Sequence, residues 1–286
     1  MQATSTLDRD PNPSELSSRT WRKAYQDFRD GIRQRQLWAH LGWQDIKQRY
    51  RRSVIGPLWI TIGMGMTATA LGLLYSQLFD QDIKEFLPYL TVGFIVWNFI
   101  RDCLTEGTEV FISNEGLMKQ LPAPISVHVL RLVWRQALFF AHNMIVYFAV
   151  LAIFQMPISW TIIYAIPAFG LLMVNGVWVA LLFGIVATRF RDIPPVINSL
   201  TTLVFFMTPI VWNADILKEK APQLGWRANL ADINPLYHYI EIIRDPLIGQ
   251  DQQLYHWLIV LGCTIVGWLL ALVVMRNYRA RVTYWV

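Results

Sequence analysis

The chain has 286 residues, of which 54% are hydrophobic and only 16% charged, with a mean hydropathy of +0.33. A soluble domain carries about 25% charged residues, so composition excludes one and points to a membrane protein. The net charge of +5 would suit nucleic acid, but the basic residues flank apolar runs, as they do when they face anionic lipid.

In chain order, residues 1–20 read as a mobile tail: they are polar, contain Pro11 and Pro13, and lack the apolar stretch of a signal peptide. Residues 21–52 read as an amphipathic interface region. Trp21, Tyr25, Phe28 and Ile32 share one helical face, while Arg22, Lys23, Arg29, Asp30 and Arg33 lie opposite. Such a helix lies in the membrane interface or against a partner's surface. A second stripe, Trp43, Ile46 and Tyr50, leads into a basic knot of Lys47, Arg49, Arg51 and Arg52. No charge then follows until Asp80, a reach of roughly 40 Å at ~1.5 Å per residue, enough to cross a bilayer.

Residues 53–286 read as six spans. The first covers 53–79. The second starts near Phe86 and is cut short by Arg101 and Asp102, which sit at a boundary or face a wet interior. Residues 109–131 form a polar elbow broken by Pro122 and Pro124, and the third span covers 132–154. The fourth covers 158–188 and carries a small-residue ladder, Gly176, Ala180 and Gly184, that lets helices approach closely. Arg189, Arg191 and Asp192 mark a short turn before the fifth span, 193–212, which Pro209 interrupts. Residues 213–256 are too long for a turn and too polar for a span; Leu236, Ile240, Ile243 and Leu247 form a stripe, and Pro222, Pro235 and Pro246 divide the segment. A re-entrant or interfacial helix pair fits, since irregular backbone is tolerated where protein buries it or water reaches it. The sixth span covers 257–275, followed by Arg276, Arg279 and Arg281.

The positive-inside rule orients the chain. With the N-terminus cytoplasmic, 20 of 25 Lys and Arg fall inside, and Lys84, Lys218, Lys220, Arg227 and Arg244 outside. Both ends are then cytoplasmic.

Chemistry-bearing motifs are sparse. There is no Gly-x-x-x-x-Gly-Lys-Ser/Thr phosphate cradle, so no ATPase motif of that type. Cys103 and Cys263 have neither disulfide nor metal-site spacing. His142, within a span, reads as a hydrogen-bonded packing residue rather than a proton carrier. Asp80 and Asp82 have the spacing to hold a divalent cation beside a diphosphate, as in a lipid-linked glycosyltransferase; the alternative is that they end the first span in water. Spans one, two and five are rich in rings: Trp59, Tyr75, Phe79, Phe86, Tyr89, Trp97, Phe205, Phe206 and Trp212. Rings with an apolar face and a polar edge suit sliding contact with sugars. Periodicity alone favours ordinary lipid-facing aromatics.

Four segments, in order, carry a resemblance. They are Asp45-Ile46-Lys47-x-Arg49-Tyr50-x-x-Ser53-x-x-Gly56-x-Leu58-Trp59; Asn114-Glu115-x-Leu117-x-Lys119-x-x-Pro122; Phe190-Arg191-Asp192-Ile193 with Met207-Thr208-Pro209-Ile210; and Asn234-Pro235-Leu236 with Arg244-Asp245-Pro246-Leu247. Over roughly residues 37–280 the chain resembles ABC type-2 permeases that export O-antigen, teichoic acid or cell-wall galactan.

The resemblance implies an all-α, non-enzymatic permease subunit of the inner membrane. It implies a homodimer with two copies of a separate ATPase that binds ATP and Mg, and no cofactor in this chain. The cargo implied is a polysaccharide on a polyprenyl diphosphate lipid, passing between the two copies. Residues 113–125, with Asn114, Glu115, Leu117, Met118 and Lys119, would couple to the ATPase, and residues 213–256 would form an outer gate. Arg49, Arg51, Arg52 and Arg101 would meet the lipid diphosphate by charge-assisted bonds, unless they only anchor topology. Trp59, Tyr75, Phe79, Tyr89, Trp97, Phe205, Phe206 and Trp212 would line the glycan path. An ABC type-2 exporter of a small drug or lipid, and a lipid-linked glycosyltransferase, are the alternatives.

Overall fold

The computed structural model describes residues 19–120, 123–156, 159–214 and 229–286, and all regular structure among them is helical. The tail before Arg19, Pro122, and the segment with Lys218, Lys220, Pro222 and Arg227 lie outside the described residues. Two helices precede the first span: α1 (Trp21–Arg33) and α2 (Arg35–Arg49). The membrane-length helices are α3 (Leu58–Leu78), α4 (Ile83–Thr108), α6 (Ile125–Phe154), α7 (Ala165–Arg189, entered through a 3-10 turn, Trp160–Tyr164) and α11 (Leu254–Trp285). Shorter elements are α5 (Glu115–Gln120), α8 (Ile193–Met207), α9 (Leu230–Ile233) and α10 (Pro235–Ile248).

α4 is the hub. It packs against α3, α6, α7, α8 and α10 and is buried continuously from Phe86 to Trp97. The small-residue ladder on α7 is what brings α4 so close. A Cβ on Gly107 would lie 2.9 Å from the Ala180 Cα, and one on Gly184 would lie 2.9 Å from the Gly107 carbonyl oxygen. Backbones this near gain dispersion and leave no room for a methyl group.

The basic segments gather at one end of the bundle. Arg279 on α11 reaches Asp27 on α1 at 3.2 Å, the Arg276 guanidinium lies 4.9 Å from the Trp21 ring centre, and Arg191 donates to the Trp285 carbonyl at 3.0 Å. Lys119 on α5 lies 3.4 Å from the Val286 carbonyl oxygen. At the opposite end the Tyr147 hydroxyl donates to the Leu247 carbonyl at 2.6 Å, and Thr161 donates to the Pro246 carbonyl at 3.1 Å. α8 joins the two ends: it starts beside Arg191 at the basic end, and just after it the Pro209 carbonyl meets Tyr89 in the first turns of α4. At 15 residues α8 is shorter than the ~20 of a plain span.

Several expected boundaries move. α4 runs through Arg101 and Asp102 to Thr108, and the two side chains pair with each other at 2.8 Å. α6 begins at Ile125 rather than 132. Its first two free N–H groups, those of Ile125 and Ser126, donate to the carboxylate of Asp27 at 3.3 and 3.2 Å. That is a helix cap supplied from another helix, which local sequence does not reveal. The first span becomes helical only at Leu58, after a turn in which Gly56 has φ +63° and its N–H is bonded by Ser53 Oγ at 3.0 Å. α8 stops at Met207, two residues before Pro209, and α11 continues well past Met275 through the basic residues. The amphipathic segment is two helices broken at Gln34. α1 packs on the bundle through Ala24, Asp27 and Gly31 and leaves Trp21, Tyr25 and Ile32 exposed.

Candidate functional site

At the basic end, charges from three helices converge. Arg131 and Arg135 lie one turn apart on α6, Asp45 on α2 and Glu106 on α4. Arg131 donates through Nε to Asp45 Oδ2 at 2.8 Å and through Nη2 to Oδ1, a bidentate pair. Its remaining Nη1 donates to Asn114 Oδ1 at 3.0 Å. Arg135 Nη1 reaches Asp45 Oδ2 at 3.0 Å, and its Nη2 bonds Glu106, which also accepts from Gln136 Nε2 at 2.9 Å. Paired fork-to-carboxylate bonds of this kind are among the strongest polar contacts a protein makes. They tie α2, α4, α6 and the turn before α5 into one unit.

Arg49 joins the rim of this cluster. Its Nη2 lies 3.7 Å from Glu106 Oε1, its guanidinium sits 5.4 Å from the Phe139 ring centre, and half of its side chain is exposed. A cavity of about 340 Å³ opens beside it, lined by Arg49, Glu106, Asn114, His128, Arg131 and Arg135 among others. His128 Nδ1 and Arg135 Nε are buried there without a hydrogen-bond partner among the described residues.

The other expected diphosphate contacts do not join this group. Arg51 and Arg52 are exposed on the turn after α2, and Arg101 pairs at 2.8 Å with its neighbour Asp102. Of the expected coupling residues, Asn114 ends a 3-10 turn, donates to the Val110 carbonyl at 2.8 Å and accepts from Arg131. Glu115 and Lys119 pair across one turn of α5, and that bond holds the Glu115 carboxyl below the usual carboxylate range. Leu117 is half-buried and Met118 buried, so they fasten α5 to the bundle.

The aromatic set divides. Trp59 and Phe206 are exposed; Tyr75 stacks on Phe79 at 5.6 Å, and Phe79 meets Phe86 edge-on at 6.4 Å. Trp97 is buried against Phe205, whose ring centre is 5.6 Å away, and Trp212 donates its Nε1–H to the Phe206 carbonyl at 3.2 Å. Tyr89 is buried too, so Tyr89 and Trp97 line the interior of this chain rather than an open surface. α3 buries only Met64, Ala68, Gly72 and Ser76, a stripe at four-residue spacing; Ile60, Thr61, Gly65, Leu71 and Tyr75 are half-buried and the rest are exposed. The exposed face of α8 mixes Val196, Leu200, Leu203 and Phe206 with Asn198, Ser199 and Thr202.

Tyr89 is buried because Arg244 covers it. Arg244, expected in an outer loop, is fully buried on α10. Its guanidinium sits 3.7 Å from the Tyr89 ring centre, bonds Glu241 through Nη2 and through Nε at 3.3 Å, and donates to the Pro209 carbonyl at 2.8 Å. The glycine that makes room is Gly93, where a Cβ would lie 3.3 Å from Arg244 Nη1. Two histidines complete the polar interior here: His238 and His256 are buried with their Nδ1 atoms 2.6 Å apart. His142, expected as a hydrogen-bonded packing residue, has its Nδ1 2.7 Å from the Leu138 carbonyl oxygen. The signal for Arg244 was an arginine four residues from Ile240 on an apolar stripe, one turn after Glu241.

Asp82 caps α4 by accepting from the Lys84 N–H at 2.9 Å, so it serves the second span rather than the first; Asp80 is exposed with φ +53°. Cys103 and Cys263 are free thiols.

A family model described as ABC-2 type transporter matches residues 36–248. Among curated proteins, two from Klebsiella pneumoniae, each named O-antigen export system permease protein RfbA, are 26% and 24% identical over 212 residues; each match covers 70% of this chain and 82% of the relative. A protein of the same name from Myxococcus xanthus is 22% identical over 210 residues, covering 68% of this chain and 73% of the relative.

Proposed function

The chain belongs to the ABC-2 type transporter family, and from that premise we propose that it is the permease subunit through which a lipid-linked polysaccharide is exported across the inner membrane. Two copies face each other through α3 and α8, and a separate ATPase docks at the basic, cytoplasmic end. α8 counts as the sixth crossing, with both chain ends in the cytoplasm and α9 and α10 re-entering from the outside.

One observation carries this reading. α8 presents Asn198, Ser199 and Thr202 on an exposed face at membrane depth, interleaved with Phe206 and aliphatic side chains. An exposed amide in hydrocarbon costs several kcal/mol in transfer terms, roughly 2–7, so such a face fits a wet path shared with a second copy. Exposed rings beside it, Trp59 on α3 and Phe206, suit loose contact with successive sugars. The names of the relatives support glycan as the cargo class over a small drug or lipid.

Coupling follows from the charge cluster. A push on α5 reaches Asn114, then Arg131, then Asp45 on α2, the helix that precedes α3. Arg49 at the cluster's rim is the best placed of the arginines to meet a diphosphate, because its carboxylate partner is 3.7 Å away and half its side chain is open.

The test is removal of the chain from its native cell. Surface polysaccharide should vanish while glycan on its lipid diphosphate accumulates on the cytoplasmic side. Surface polysaccharide at its normal level would refute the proposal.

A further inference from the structure

A cavity of about 610 Å³ is built from α4, α7, α10 and α11 rather than from α3 and α8. Ile259, Gly262, Val266 and Leu270 line it from α11, one residue per turn. Phe99 of α4, Phe183 of α7 and Leu236 of α10 face them.

The few polar groups on its wall are already spent on one another. Asn175 Oδ1 accepts from Trp178 Nε1 and from the Tyr239 hydroxyl, each at 2.7 Å. Its Nδ2 donates to the Leu171 carbonyl and to Thr264 Oγ1, each at 2.8 Å, and the Thr264 hydroxyl donates to the Val260 carbonyl at 2.7 Å. Both N–H groups and both lone pairs of the amide are therefore used. A water molecule needs two to four polar partners, and this wall offers it none of the amide's. Space of this size left without atoms would forfeit dispersion contacts along every wall. Hydrocarbon meets both conditions.

Depth says whose hydrocarbon. The α11 stripe falls within residues 254–275, which carry no Asp, Glu, Lys or Arg, so it lies in the apolar part of the bilayer. From Ile259 to Leu270 it reaches roughly 16 Å at ~1.5 Å per residue, along the helix axis, the direction in which acyl chains run. Val266 and Leu270 are more than half exposed, so the cavity opens sideways to the surrounding lipid. We propose that a hydrocarbon chain of a bilayer phospholipid occupies this cavity and seats α10 against α7 and α11. The inference is independent of the cargo, since it uses only the membrane-spanning helices and elements other than α3 and α8.

Gly262 supplies the test. A Cβ there would meet no atom within 4 Å, so a larger side chain can grow into the cavity without striking the wall at its root. The full-length protein, stripped of lipid in detergent, would be titrated with phosphatidylcholine, and retained lipid counted by native mass spectrometry. The wild type should hold the lipid and unfold at a higher temperature with it. Phosphatidylglycerol with the same acyl chains should be held equally well. Gly262→Phe should weaken retention at least about tenfold and lose the thermal gain. Gly170→Phe, also in open space but outside the cavity, should keep both. Should Gly262→Phe not be monodisperse, the wild type carries the test by itself. Alkylation of Cys263, on the cavity wall, by an apolar maleimide should slow several-fold as lipid is added. Equal retention by the two variants, retention that follows the headgroup, or an unchanged Cys263 rate would overturn the proposal. So would preferential retention of a polyprenyl phosphate, which would assign the cavity to the cargo lipid. A change in the number of copies per particle with an unchanged lipid count would assign it to a second copy of the chain and overturn the proposal equally.

Discussion

The guanidinium of Arg244 stands 3.7 Å from the ring centre of Tyr89, fully buried, with Glu241 as its ion-pair partner and the Pro209 carbonyl as a further acceptor. One cation thus joins α4, α10 and the turn that follows α8. The carbonyl it uses lies just past the C-cap of α8, outside the helix ladder.

Breaking that pair from one side should be costly. Arg244→Ala strands the Glu241 carboxylate in the interior and should destabilise the folded protein by about 3–5 kcal/mol. The check is thermal unfolding in detergent, followed by size-exclusion chromatography. Replacing both partners, Arg244→Met with Glu241→Leu, should recover most of the loss. A double variant no better than Arg244→Ala would contradict the pairing.

Tyr89 separates two contributions. Tyr89→Phe keeps the ring under Arg244 but loses the hydroxyl bonded to the Trp212 carbonyl at 3.2 Å, a loss of about 0.5–1.5 kcal/mol. Tyr89→Leu removes the ring as well and should add about 0.5–2 kcal/mol. The same unfolding assay ranks them, and an equal effect of the two changes would deny the ring any role.

Asp45 is expected to matter for coupling more than for insertion. Asp45→Asn leaves Arg131 and Arg135 short of a carboxylate and should cost about 1.5–3 kcal/mol in local stability. With the ATPase partner present, ATP hydrolysis should persist while export falls at least about tenfold. Export that falls only in proportion to protein level would mean that Asp45 merely stabilises the fold.

The α4–α7 contact tolerates no added volume. Gly184→Ala places a methyl group 2.8 Å from Val110 Cγ1 and 2.9 Å from the Gly107 carbonyl oxygen, and should cost about 1–3 kcal/mol. By contrast Gly170→Ala, with open space around its Cβ, should leave the unfolding temperature unchanged or raise it slightly.

If α8 lines a wet path, Asn198→Cys should react with a water-soluble maleimide in the assembled transporter. Leu200→Cys, exposed two residues on, reports how far that water extends around the helix. An Asn198→Cys thiol as slow as the half-exposed native Cys263, which lies on α11, would place the residue in lipid.

Much of this was legible along the chain. The Ser53–Phe79 run, the ladder at Gly176, Ala180 and Gly184, and Pro124 just before α6 each act through local composition or spacing, and each reappears as an element or a contact. Gly107 was missed because a lone glycine has meaning only once Ala180 is known to lie against it. The start of α6 was missed because its cap, Asp27, is almost 100 residues away. Tyr89 and Trp97 looked like surface rings because period alone marks a face without saying what covers it.

Hydropathy and charge add up residue by residue, so the sequence by itself determined that the chain is a membrane protein, which residues form its basic end and in what order its spans run. Partner choice does not add up that way. That Asp45 takes Arg131 across 86 residues, and that Arg244 turns inward onto Tyr89 rather than outward to water, were decided only by the tertiary structure. The reason is electrostatic: a charge at the edge of a membrane is stable in water, at a headgroup or against a buried counter-charge, and only the packing of helices distant in sequence selects among the three.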